Sequence, residues 1–251
     1  MPLLLELFSG TGSIGRAFAA QGWEVISVDC DRRAHATIRA DVSQFEVSRE
    51  LRGRTVDCIW ASPPCTNYSI ARTRKKSTAE ELEFSDSLVK KTLEIARELE
   101  GNPALFIENP YTGKLKSRGL LDHLQLNKVD YCKYKFPYRK RTAVWSNTEW
   151  TPERPLCKGD CAAYGVKGHT AIAQRGGPGH KFTQRDLYRI PPDLCDEIAR
   201  YCTARARGNE LAELAAELAS PWPLSSPPPS PWARLPPDSL GRESREREKT
   251  F

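Results

Sequence analysis

The run Leu3–Phe8 followed at once by Gly10-Thr11-Gly12-Ser13-Ile14-Gly15 constrains this chain more than any other segment. An apolar run so short reads as a buried parallel strand, and glycines at its end allow a tight turn and close approach of a ligand to the backbone. Ser13–Gln21 reads as the following helix and Glu24–Val28 as a second strand, ending at Asp29. Strand, glycine loop, helix and a carboxylate closing the next strand make a nucleotide-type fingerprint, in which the carboxylate accepts ribose hydroxyls. A dinucleotide and S-adenosylmethionine satisfy this fingerprint equally.

The pattern then repeats. Val56–Ala61 reads as a strand, Thr78–Leu99 as a long helix with apolar spacing, and Ala104–Ile107 as a strand ending at Glu108-Asn109-Pro110. Strands alternating with helices predict an α/β, Rossmann-like fold whose mostly parallel sheet is covered on both faces. Leu124–Cys132 and Thr142–Ser146 predict a closing antiparallel pair. Periodicity fails from Trp150 to Arg185, which predicts a loop-rich insertion, and a helix over Pro192–Tyr201 then returns Leu194, Ile198 and Tyr201 to the sheet. Beyond a short helix over Glu210–Leu218, residues 220–237 are dominated by Pro and Ser and residues 242–249 alternate Arg, Glu and Lys. Such a composition predicts a disordered tail. The expected organisation is a main α/β domain at 1–147, a small loop-rich region at 148–185, a returning helix at 186–202 and the tail at 203–251.

Charge and cysteine usage narrow the setting. The 251 residues carry a formal charge of +6, and the charges cancel from Thr203 onward, so the excess lies in residues 1–202 and suits a polyanionic partner. Eight cysteines without a signal peptide predict a reduced intracellular compartment rather than a disulfide framework; nucleus and cytoplasm are not distinguished. No stretch approaches the roughly 20 apolar residues of a membrane span, so no membrane association is expected, and nothing points to an obligate protein partner.

The chemistry centres on Ile59–Ser69, where Cys65 directly follows Pro63-Pro64 at the end of an apolar run. Prolines cannot continue the ladder, so Cys65 is presented on a loop at the strand's carboxyl edge, where open α/β sheets build their sites. Phe8-Ser9-Gly10-Thr11-Gly12, Pro63-Pro64-Cys65, Glu108-Asn109-Pro110 and Arg139-Lys140-Arg141 occur in this order. The series resembles the cytosine-C5 DNA methyltransferase family, particularly its compact virus- or phage-type members, over residues 3–147 and more weakly 186–202. The resemblance implies S-adenosylmethionine as cofactor, held by Phe8, Gly10, Gly12, Asp29, Asp41 and Pro63. It implies Cys65 as nucleophile, Glu108 as the carboxyl group gripping cytosine, and Arg139 and Arg141 beside the flipped base. The family's Gln-x-Arg-x-Arg element is Pro137-Tyr138-Arg139-Lys140-Arg141 here, so only the arginines align, and Thr66 replaces the usual Gln after the nucleophile.

These residue types suit the reaction. C5 of cytosine is a poor nucleophile until a thiolate adds to C6, and a carboxyl group at N3 and the amine offsets the charge developing on the ring. The target must be flipped out of a duplex, and Arg72, Arg74, Lys75 and Lys76 follow the nucleophile closely enough to hold its backbone, a solvated basic loop being the other reading of the same run. DNA is the expected partner, with RNA a substrate alternative. One rival is an amino-methyltransferase acting on N4 of cytosine or N6 of adenine, because Ser62-Pro63-Pro64 matches the start of its loop, with Tyr68 displaced into the stacking role. The other is a catalytically silent nucleic-acid-binding module. Cys157 and Cys161 with His169 and His180 have the ligand types of a zinc site, but their loose spacing favours unrelated loop residues and no metal. Cys30, Cys58, Cys132, Cys195 and Cys202 are expected in the core.

Overall fold

The computed structural model describes residues 1–70, 76–173 and 181–219. Met1–Asn209 form one compact unit, and Glu210 onward belongs to a second. The first unit is built on six strands: β1 (Leu3–Leu7), β2 (Glu24–Val28), β3 (Cys58–Ala61), β4 (Ala104–Pro110), β5 (Gln125–Asp130) and β6 (Arg141–Ser146). They lie in the order β2-β1-β3-β4-β6-β5. The first four are mutually parallel, while β6 runs antiparallel to both of its neighbours. The expected antiparallel pair is therefore present, with β6 docked between β4 and β5.

Covered faces follow from the period-2 alternation within apolar strands. Leu5, Val28, Ile59, Ile107 and Trp145 pack on one face with Val89 and Leu93 of helix α3 (Ala79–Glu98). Leu4, Trp60, Phe106 and Val144 pack on the other, with Phe18 of helix α1 (Ser13–Ala20) and residues of the C-terminal helix. Helix α3 starts where Thr78 and Glu81 form a reciprocal capping box, which satisfies two otherwise orphaned N–H groups. No comparable crossover helix follows β2; the connection holds a 3₁₀ turn at Val42–Gln44 and the short helix α2 (Val47–Leu51).

The insertion is loop-rich as expected; among its described residues the two-residue strands β7 (Tyr164–Gly165) and β8 (Gly168–His169) are the only regular elements before the short helix α4 (Gln184–Tyr188). Helix α5 spans Pro192–Ala219, so the break expected after Cys202 does not occur and the helix enters the segment assigned to the tail. Its run of good helix formers through Glu210–Leu218 continues the same element rather than starting another. Leu194 and Ile198 are buried on the sheet, Tyr201 meets Phe106 edge-on at 6.5 Å, and Trp23 Nε1 donates to Thr203 Oγ1 at 2.8 Å. Residues 220–251 lie outside the described residues, as does the expectation made for them. Among the described residues no helix is long and apolar enough to cross a membrane.

The register places the chemistry. Leu7 pairs with Val28 on one side and Ala61 on the other, and Ala61 pairs with Ile107. Phe8, Asp29, Ser62 and Glu108, each the next residue along, consequently sit on one rim of the sheet. The chain leaves β1 toward β2 on one side and returns to β3 on the other, a switch point at which parallel sheets open a crevice.

Candidate active site

That rim opens into a cavity of about 370 Å³. Its lining includes Phe8, Gly10, Asp29, Asp41, Pro63, Cys65 and Glu108, drawn from separate stretches of chain. Gly12 does not line it. Gly10 and Gly12 have φ of +53° and +64°, the left-handed region that glycine enters without a Cβ penalty. The Gly12 N–H donates to Ser9 O at 2.7 Å and closes the turn.

Asp29 has two tasks. Its Oδ2 accepts from Gly10 N at 2.8 Å and its Oδ1 from Asp31 N at 2.8 Å, so the carboxylate clamps the glycine loop to the end of β2. An ionised carboxylate offers about four acceptor positions, which leaves capacity toward the cavity. Asp41 caps the 3₁₀ turn by accepting from Ser43 N at 2.9 Å and also faces the cavity.

Gly15 serves a different neighbour. A Cβ there would stand 2.6 Å from Oε2 of Glu6, a buried carboxyl on β1 that accepts from the backbone N–H groups of Gly15 and Ile14. Burial raises the Glu6 pKa to about 7, against the lowering effect of those hydrogen bonds and of Arg16. Neither Glu6 nor its role was visible in the sequence pattern, because a single Glu inside an apolar strand carries no periodic signal.

Cys65 is half-buried on the loop beyond β3. Burial pushes its thiol pKa up; the Lys140 ammonium pulls it down and the Glu108 carboxylate opposes that pull. Glu108 is 7% exposed, accepts from the Tyr131 hydroxyl at 3.2 Å through Oε1, and has Lys140 Nζ at 3.7 Å. Its neighbour Asn109 turns the other way, donating through Nδ2 to Pro63 O at 2.9 Å. Asn109 therefore fastens the Pro-Pro-Cys loop to β4 rather than capping a local turn.

The two expected arginines are placed elsewhere. Arg141 forms a forked pair with Asp130 at 2.9 and 2.7 Å, Arg139 is exposed, and it is Lys140 that lines the cavity. Extended backbone alternates side-chain direction, so 140 points opposite to 139 and 141. Lys140, Tyr188 and Ile190 are lining residues that motif reading passed over; the middle position of Arg-Lys-Arg was the available signal for the first.

Lys76 is exposed at the base of the loop after Cys65, whereas Arg72, Arg74 and Lys75 lie outside the described residues. The loop's stems are fastened, Ser77 Oγ donating to Asn67 O at 2.7 Å and Asn67 Nδ2 to Glu81 O at 2.9 Å. Tyr68 does not face the cavity. It is fully buried and its hydroxyl donates to Asp86 at 2.8 Å, which removes the stacking ring that the amino-methyltransferase alternative requires.

Cys58, Cys195 and Cys202 are buried as expected, while Cys30 is exposed and borders the cavity. Cys132 is buried but is not an isolated core residue. It converges with Cys157, Cys161 and His169, and His180 lies outside the described residues.

A glycine loop, a carboxylate-lined crevice, and a cysteine and a buried glutamate on the same cavity make up the candidate site. The family model of C-5 cytosine-specific DNA methylases matches residues 3–136. The frog virus 3 (isolate Goorha) protein named "Probable DNA (cytosine-5)-methyltransferase" is 35% identical over 219 residues, covering 79% of this chain and 99% of its own length. The chain belongs to the C-5 cytosine-specific DNA methylase family. Among solved structures, S. pombe Dnmt2 methyltransferase is similar with a TM-score of 0.43 and 16% identity, covering 60% of this chain and 52% of that one. Entamoeba histolytica methyltransferase EhMeth has a TM-score of 0.46 and 14% identity over 62% and 58%. This chain thus spans between half and three-fifths of those two solved proteins.

Proposed function

We propose that this chain transfers a methyl group from S-adenosylmethionine to C5 of cytosine in DNA, with Cys65 as nucleophile and Glu108 as the group that grips the base. The observation that carries the reading is that Cys65, on the loop after β3, and Glu108, on β4, line one cavity with the glycine loop and Asp29. S-adenosylmethionine, when bound, supplies an electrophilic methyl group.

The residues present fit that cofactor. Ser9 Oγ and Asn109 Oδ1 are buried on the cavity and lack hydrogen-bond partners among the described residues, a costly arrangement unless a ligand supplies them. Gly10 and Gly12 keep the loop backbone open, Asp29 and Asp41 offer acceptors for ribose and adenine, and Phe8 and Pro63 supply apolar walls.

On the base, the Cys65 thiolate adds to C6 and makes C5 enamine-like, hence nucleophilic. Glu108 accepts from the exocyclic amine and passes a proton to N3 as negative charge develops there, while the Tyr131 hydroxyl donates to its Oε1 and Lys140 stands beside it to balance the carboxylate left behind. After methylation, loss of the C5 proton expels the Cys65 thiolate. The target base is flipped out to reach the cavity, and the basic segment at 72–76 holds the opened backbone. Residues 148–185 form the small target-recognition region.

The test uses DNA in which 5-fluorocytosine replaces cytosine. Fluorine cannot leave as a proton, so the wild-type protein with S-adenosylmethionine should form an adduct that survives denaturing electrophoresis, and Cys65→Ser should form none. An adduct in the variant would overturn the nucleophile assignment. Base analysis after incubation with labelled cofactor separates C5, N4 and N6 products, and RNA in a parallel reaction tests the alternative polymer.

A further inference from the structure

The insertion at 148–173 poses a problem of order. From Thr151 to Thr170 no side chain is buried, so this stretch has no apolar core of its own, yet its backbone runs a defined course. Polar links account for part of this. Lys133 Nζ reaches Asp160 at 2.9 Å, Cys157 N donates to Asp130 at 2.9 Å, and Arg139 exchanges backbone hydrogen bonds of 3.0 Å with Ala171 and Ala173. The remaining feature is chemical: the side chains of Cys132, Cys157, Cys161 and His169 aim at one point, their ligand atoms all within 4.8 Å of one another.

We propose that Cys132, Cys157, Cys161 and His169 bind one zinc ion tetrahedrally and so clip the insertion to the end of β5. The distances suit the ion. Zn–S bonds of about 2.3 Å and Zn–N bonds of about 2.0–2.1 Å give a tetrahedron with S···N edges of about 3.5 Å. Both Cys157 Sγ and Cys161 Sγ lie 3.4 Å from His169 Nε2. Three cysteines and one histidine with no carboxylate select zinc over the hard cations, and four protein ligands leave no open position, which marks a structural site.

The supporting shell matches. Gly159 N–H points at Cys157 Sγ at 3.4 Å, as expected for a backbone donor that stabilises thiolate charge. Gly159 has φ +91°, and a Cβ there would fall 3.0 Å from the Tyr164 ring, so the turn between Cys157 and Cys161 admits only glycine. Tyr164 in turn meets the His169 ring edge-on at 5.0 Å and fixes its orientation. Lys133, next to Cys132, places a cation against the negative Cys₃His centre.

The site reaches the base-gripping residues through one peptide. Cys132 follows Tyr131, which donates to Glu108, and Asp130, which accepts from both Arg141 and Cys157 N. A metal here holds the recognition region and the Glu108 support in fixed register. The assignment replaces His180 with Cys132, the ligand that spacing alone could not supply because it lies 25 residues before Cys157 on another element.

Full-length protein purified without chelator should carry about one zinc per chain by elemental analysis. X-ray absorption at the zinc edge should give three sulfurs at about 2.3 Å and one nitrogen at about 2.0 Å. Cobalt(II) added to the reduced, metal-stripped protein should give thiolate-to-cobalt charge-transfer and intense tetrahedral d–d bands. Cys132→Ser and His169→Ala should lose the stoichiometric metal, while His180→Ala and Cys30→Ser keep it. A wild-type chain that holds no zinc and gives no cobalt–thiolate band would overturn the proposal. So would a two-sulfur, two-nitrogen edge spectrum, or zinc lost from His180→Ala and kept in Cys132→Ser. The absorption and cobalt measurements need only the wild-type protein, so a variant that fails to fold does not blunt the test.

Discussion

Lys140 Nζ lies 3.7 Å from Oε1 of Glu108 and 4.8 Å above the Tyr131 ring, while the residue on each side of it faces away from the cavity. The cation therefore acts on both side chains of the cavity. It lies against the Glu108 carboxylate, and it lowers the pKa of a Cys65 thiol that burial otherwise raises.

A pH profile separates these effects. The thiolate is the reactive form, so kcat/KM should climb with pH toward the raised Cys65 pKa. Lys140→Met removes the side-chain charge that favours the thiolate, so the climb should move to higher pH and leave the rate at neutral pH about tenfold lower. Lys140→Arg should restore the wild-type profile. A Met variant with an unmoved profile would remove Lys140 from thiol activation.

Glu108→Gln should retain S-adenosylmethionine affinity while slowing methyl transfer by on the order of 10²-fold or more, since an amide cannot pass a proton to N3 as the ring is attacked. Tyr131→Phe deletes the 3.2 Å bond to Oε1 and should cost about tenfold. Isothermal titration and single-turnover kinetics together read the split between binding and chemistry.

Asn109→Ala frees the Pro63 carbonyl from β4 and should destabilise the fold by about 1–3 kcal/mol, read by urea denaturation. Because that bond positions the nucleophile loop, adduct formation with 5-fluorocytosine DNA should slow more than cofactor binding weakens. Equal stability in mutant and wild type would show the Pro-Pro-Cys loop to be held by its own prolines.

The strands, the long helix and the cavity residues were legible because each rests on local signals. Apolar runs, glycines in the left-handed region and a Pro-Pro break act within a few residues of where they are written. Asp29, Cys65 and Glu108 meet through register, which follows once β1, β3 and β4 are recognised as parallel. What stayed hidden depends on distant partners. Arg141 is taken by Asp130 across a β5–β6 ladder, Tyr68 by Asp86 on α3, and Cys132 joins residues of an insertion that has no periodicity to read. The extent of α5 was missed for the opposite reason, since two helical segments looked separate when read one window at a time.

Glu6 supplies the last prediction, one of stability rather than catalysis. Its carboxyl is buried on β1 and its pKa is raised to about 7 from an ordinary 4.5, with desolvation the largest cause. The folded state therefore keeps this proton over a window in which the unfolded chain releases it. The folded form binds more protons than the unfolded one between roughly pH 4.5 and 7, so stability falls as pH rises through that range, by about 3 kcal/mol from this group. Glu6→Gln keeps an acceptor for the Gly15 and Ile14 N–H groups but cannot ionise. Unfolding free energies measured by urea denaturation from pH 5 to 8 should therefore decline less steeply for the variant than for the wild type, the gap between the two curves changing steadily up to about pH 7. Parallel curves would mean that Glu6 is already ionised in the folded protein and that Arg16 and the two N–H groups outweigh its burial.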